Sequence, residues 1–115
     1  VNWLQVWNPA YLGGNTGYSR GVAIDWHYRF AYLLGVAGVD IDDVVDALLD
    51  WLAGQQRVWL RSTDSQYVVM WMRTASGSPV EILARIAGSD LYLVAGRALS
   101  GDRLNEFEKW EDTDE

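Results

Sequence analysis

Four arginines, Arg61, Arg73, Arg85 and Arg97, recur at intervals of twelve residues, and Trp59, Tyr67 and Trp71 are interleaved with them. Arginine holds its proton at any cellular pH, so such a row can grip phosphate or stabilise a developing anion but cannot itself move a proton. Rings beside guanidiniums can stack unpaired nucleobases; burial under helices is the other use of the same residues. Metal-free cleavage of RNA needs more than a cation. A base must take the 2′-hydroxyl proton and an acid must protonate the leaving oxygen. The side chains able to do so here are His27, Glu81, Tyr67 and Tyr92. Each has a plainer use. His27 stands between Trp26 and Tyr28 and suits packing, and Glu81 stands four residues from Arg85 and suits a cross-strand charge pair. The arginines themselves can snorkel from strand ends into water.

Other chemistries are excluded or disfavoured by composition. The 115 residues include no cysteine and one histidine, so disulfides and thiolate metal sites are ruled out and no metal or other cofactor is expected. Absence of cysteine fits a reducing, cytoplasmic setting. No apolar run approaches the roughly 20 residues that span a bilayer, so no membrane partner is expected. The cluster Gly13, Gly14, Asn15 and Gly17 lacks a following Lys-Ser/Thr pair and reads as a loop, not a phosphate cradle.

The formal charge is −7, unevenly spread. Residues 25–50 carry six aspartates against Arg29, and residues 102–115 carry seven acids against Arg103 and Lys109. Residues 55–99 are net basic, and every cation there is arginine. A basic middle flanked by acidic segments suits either an RNA-facing sheet or an acidic module that binds a protein. Seven Trp, six Tyr and two Phe exceed what a domain of this size buries easily, so some rings should line a groove or interface.

The elements that must position these residues are those of one α+β domain over 1–110, followed by an acidic tail at 111–115. Trp3-Leu4-Gln5-Val6-Trp7 reads as a short first strand. A helix is expected from about Val22 to Leu34, closed at Gly35-Val36-Ala37-Gly38. Asp40 caps a second helix whose Ile41, Val44, Val45, Leu48, Leu49 and Leu52 form a buried stripe, with Asp42, Asp46 and Asp50 on the opposite face. Four strands follow at about 57–62, 66–74, 79–86 and 90–98, joined by short turns as an antiparallel meander. Tyr67, Val69, Trp71 and Arg73 share one face of the second. Arg61 and Arg85 should fall at one end of the sheet and Arg73 and Arg97 at the other, with the face undetermined. Ser100 then caps a short helix bearing Leu104, Phe107 and Trp110.

In this order of elements the chain resembles the BrnT-type toxins of the RelE-like ribonuclease superfamily. The resemblance rests on four stretches. Val6-Trp7-Asn8-Pro9-Ala10 is similar to the family's opening. The run from Gly35 to Val44 is similar to its Gly-Val turn and acidic-capped helix, Gln66 to Ile86 to its hairpin, and Tyr92 to Trp110 to its closing strand and helix.

The resemblance implies a RelE-like fold, with two N-terminal helices on a four-strand antiparallel meander and a short C-terminal helix. It implies a metal-free endoribonuclease acting on mRNA, covered by an antitoxin. Catalysis would then fall to Arg97, Arg85 and Arg61 with His27, and RNA binding to Arg73, Trp59, Trp71, Tyr67 and Lys109. There are departures. Tyr32-Leu33-Leu34 stands where the family has a basic residue before the Gly-Val turn. Gly96 and Ala98 flank Arg97 where a second basic residue is common, and acids interleave Arg103 and Lys109. The alternative is a non-catalytic acidic interaction module, or a phage-encoded inhibitor, on the same scaffold. Its partner would be a protein; the oligomeric state is open.

Overall fold

The computed structural model of the chain describes residues 17–19, 22–64 and 66–113. Among them, six strands form one mixed sheet: β1 (Gly17–Ser19), β2 (Val22–Trp26), β3 (Trp59–Thr63), β4 (Tyr67–Arg73), β5 (Pro79–Ala87) and β6 (Asp90–Ala98), in the order β1-β2-β6-β5-β4-β3. Three helices accompany it: α1 (Tyr28–Val36), α2 (Ile41–Leu52) and α3 (Gly101–Glu111). The α+β class and the antiparallel meander β3–β6 agree with the sequence reading.

The N-terminal part differs from it. A helix from Val22 was expected, yet Val22–Trp26 is a strand and α1 begins only at Tyr28. Val22, Ile24 and Trp26 are β-branched or aromatic, and Ile24, fully buried, pairs with Leu91 on the edge of β6 that the meander leaves open. That pairing is parallel, so the sheet is mixed, with six strands in place of four. The expected strand at residues 3–7 lies outside the described residues.

One sheet face carries α1 and α2. Alternation along β4 sends Val68, Met70 and Met72 to this side, opposite Ala84, Ile82 and Val80 of β5. Phe30 and Leu34 of α1 and Val44, Val45, Ala47 and Leu48 of α2 close over them. The Asp40 side chain accepts the Asp42 amide, capping α2 where Asp42 and Asp43 also favour the helix dipole. Leu48 is fully buried, as its stripe demands. Leu48→Ala is expected to cost about 2–5 kcal/mol, read as a shift in the denaturation midpoint at constant slope. A cost under about 0.5 kcal/mol, the range of surface substitutions, would contradict this packing.

The turn between β3 and β4 depends on one carboxylate. Asp64 Oδ1 accepts the backbone amides of Gln66 and Tyr67, each at 2.7 Å. These bonds hold the Asp64 carboxyl below its ordinary value of 3.8. A depressed folded pKa contributes stability above the unfolded value and loses it as pH falls through the folded one. Amide protection at Gln66 and Tyr67 should therefore persist at neutral pH and fade in acid, below about pH 4. Asp64→Asn should flatten that acid response; an unchanged response would place its origin elsewhere.

Candidate functional site

The arginine spacing of twelve has a structural basis, because each strand plus its turn occupies about that length. All four arginines project to the sheet face away from α1 and α2. Arg73 follows Tyr67, Val69 and Trp71 along β4, Arg85 follows Glu81 and Leu83 along β5, and Arg97 lies opposite Glu81. Arg61 sits in an irregularity of the β3–β4 ladder between Leu60 and Ser62, which aims it over the rings of Trp59 and Trp71 at 4.2 and 4.4 Å. The pairing places Arg73 and Arg97 toward one end of the sheet and Arg85 toward the other, opposite Tyr67 and Tyr92.

This face is not open across its width. Helix α3 lies over the β3–β4 half, and Trp71, Leu99 and Phe107 form a second buried cluster there with Trp59, Val69, Leu104 and Trp110. Trp59 stacks on Trp110 at 5.2 Å and meets Trp71 edge-on at 5.5 Å. The two tryptophans expected to stack bases are thus packed against rings from the chain's own C-terminal helix.

The carboxylates of α3 take the arginines. Arg61 Nη1 is 3.0 Å from Glu106 Oε2. Arg73 grips Glu111 with two bonds, Nε to Oε2 at 2.8 Å and Nη2 to Oε1 at 2.9 Å, and lies 3.8 Å from Glu108. The Glu111 bond raises the Arg73 pKa above its ordinary value. Arg57 lies over the Trp110 ring at 4.1 Å and donates to the carbonyls of Glu111, Thr113 and Trp110, closing the C-terminal end of α3. Glu111 is the last residue of α3 and part of this network.

Arg97 is tied differently. Its Nε donates to Glu81 Oε1 at 2.7 Å, and the Trp71 indole donates to Glu81 Oε2 at 2.8 Å. Both Glu81 oxygens are engaged. Beside this pair is a shallow pocket of about 330 Å³ lined by Val69, Glu81, Leu83, Ala95, Gly96 and Arg97. It has an apolar floor and one charged pair at its rim.

Of the side chains able to move protons, Glu81 is bound to Arg97, whereas His27, Tyr67 and Tyr92 lie elsewhere. His27 is the N-cap of α1, with Nδ1 accepting the Arg29 amide at 3.1 Å, and α1 packs on the opposite face. Tyr92 is buried, and burial together with Asp25 pushes its phenol well above the ordinary range. Tyr67 is partly exposed opposite Arg85, and Lys109 is exposed in the last turn of α3. Among the described residues no group of three or more His, Asp or Glu is placed to hold a metal ion.

Sequence reasoning missed two features. Glu106 and Glu108 read as acids interleaved in a basic cluster and Glu111 as tail, whereas they are counter-ions of Arg61 and Arg73. The other is the outer surface of α1, where Tyr28, Tyr32, Leu33 and Val36 are 62, 70, 56 and 71% exposed. The clue was present, because Arg29 is the only charged residue between positions 28 and 36. No helix among the described residues is long and apolar enough to cross a membrane. No protein-family model, curated protein or solved structure matches the chain.

Proposed function

We propose that this chain is a non-catalytic protein-interaction module. The observation that carries the reading is the internal neutralisation of the sheet arginines. Arg61, Arg73 and Arg97 each sit within 3.0 Å of a glutamate oxygen, and α3 occupies the aromatic ground between two of them. A face whose cations are spent on internal pairs attracts phosphate weakly, because a second anion meets little net charge. Both Glu81 oxygens accept hydrogen bonds from within the chain, one from Arg97 Nε and one from the Trp71 indole. What remains outward is acid and apolar surface on α1 and α2.

The ribonuclease reading keeps one point in its favour. Arg97 holds Glu81 through Nε, and its side chain is 57% exposed at the pocket rim. Controlled expression in a bacterial host separates the two. The interaction module is expected to leave growth and total mRNA unchanged, with wild type and Arg97→Ala indistinguishable. Growth arrest and mRNA loss relieved by Arg97→Ala would favour the nuclease and overturn the module.

A further inference from the structure

We infer that the pocket beside Arg97 is a docking site for the C-terminal residue of a partner protein, one with a free carboxylate and an apolar side chain. The inference rests on the interaction-module reading and names where the partner binds and by what chemistry.

The pocket is built from two neighbouring rows that strand register sets across β4, β5 and β6. Val69, Leu83 and Ala95 stand opposite one another and form an apolar row. Trp71, Glu81 and Arg97 stand opposite one another in the next row on the same face. Neighbouring strands lie about 4.8 Å apart and residues two apart on a strand about 7 Å, so the apolar floor is about 10 Å wide and ends beside the guanidinium. Ala95 is short and Gly96 contributes backbone alone, which leaves the β6 side of this floor low. Helix α3 covers Trp71 but contributes no residue to the pocket lining.

Hydrogen bonding selects the occupant. Glu81 takes Arg97 Nε with one oxygen and the Trp71 indole with the other, so the guanidinium is held by one edge. No hydrogen bond or ion pair among the described residues engages Nη1 or Nη2, and the side chain is 57% exposed. Those two nitrogens present parallel N–H donors, the fork that matches a carboxylate. RNA is disfavoured, because the lining holds no aromatic ring to stack a base and a chain of charge −7 repels a polyanion.

At about 330 Å³ the pocket is at the small end of ligand sites, about 300–1,000 Å³, and it is too shallow to enclose a free small molecule as such sites do. The end of a chain fits better, because its preceding residues continue across the surface. Along an extended chain neighbouring side chains point to opposite sides, so an internal acid and the apolar residue beside it do not enter together. A C-terminal residue carries carboxylate and side chain on one Cα and presents both.

The probe is acetyl-Ser-Val-Ser-Val-Leu with a free carboxylate, titrated calorimetrically into the full chain. Saturable binding is expected. The same peptide as its C-terminal amide, or with serine in place of the last leucine, should bind about tenfold more weakly, equivalent to 1.4 kcal/mol. Arg97→Gln should impose a similar loss, and Ala95→Phe, which fills the floor, should abolish binding. Arg29→Gln makes the same charge change on α1, behind the sheet, and should leave affinity within about twofold, less than 0.5 kcal/mol. All three variants replace exposed residues, and thermal melts matching wild type would establish that they fold. Equal affinity for acid and amide, or equal losses for Arg97→Gln and Arg29→Gln, would overturn the site. N-acetyl-leucine lacks the chain that continues over the surface and should bind more weakly; affinity equal to the peptide's would mean a site for a free acid and would overturn the chain-end assignment. No saturation at about 1 mM peptide with RNA left intact refutes this site alone, whereas RNA cleavage refutes the module reading beneath it.

Discussion

Phe107→Ala is expected to destabilise the protein by about 3–5 kcal/mol, the range for truncating a buried phenylalanine. Phe107 is 1% exposed and lies within ring-contact distance of Trp71 and Trp110, at 6.5 and 5.7 Å. Its loss removes transfer energy and leaves a cavity between α3 and the sheet. The ion pairs cannot hold the helix on their own. They are partly solvated, and exposed pairs contribute only about 0–1 kcal/mol each. The arginine–glutamate contacts are thus positioned by the aromatic cluster more than they position it. Denaturant titration with tryptophan fluorescence reads the effect directly, since Trp59, Trp71 and Trp110 are all in the cluster. A loss below about 1 kcal/mol, far short of a core truncation, would mean that α3 is loosely attached and that the arginine face is accessible after all.

The second large effect is at Gly96. A Cβ built there would lie 3.0 Å from Ile82 Cδ1, 3.0 Å from Phe30 Cε1 and 3.2 Å from Leu34 Cδ2. The glycine is needed for the close approach of α1 to β6, not for an unusual backbone angle. Gly96→Ala should cost about 1–3 kcal/mol through overpacking. Gly96→Lys should prevent folding, because an ammonium would be driven among Phe30, Leu34 and Ile82, and burying an unpaired charge costs several kcal/mol. A long side chain has no room at position 96, because it would point into the core. A Gly96→Lys protein with a normal melting profile would disprove the packing of α1 on β6.

Much of the fold was legible because the period of the sequence is strong where one face is buried. The stripe from Ile41 to Leu52 and the alternation of Tyr67 to Arg73 led to α2 and β4 with little error. Val22–Trp26 was misread because its partner β6 lies 67 residues away in sequence, Ile24 pairing with Leu91, and the five residues alone do not reveal that pairing. The arginines were legible as a row and Glu81 as a cross-strand charge partner, but the counter-ions on α3 were not. Pairing between Arg73 and Glu111 depends on α3 folding back over β4, which the local pattern of either segment does not encode. His27, expected within a helix, stands at its cap, with Nδ1 accepting the Arg29 amide.

The most direct test of the interaction-module account is the integrity of RNA incubated with the purified, folded chain. Single-turnover reactions with excess protein and a labelled mRNA fragment, without divalent metal, should leave the RNA intact, with wild type and Arg97→Ala alike at the rate of buffer. Cleavage by wild type that falls about 10²–10³-fold in Arg97→Ala, the loss expected when a group stabilising the transition-state anion is removed, would contradict the account.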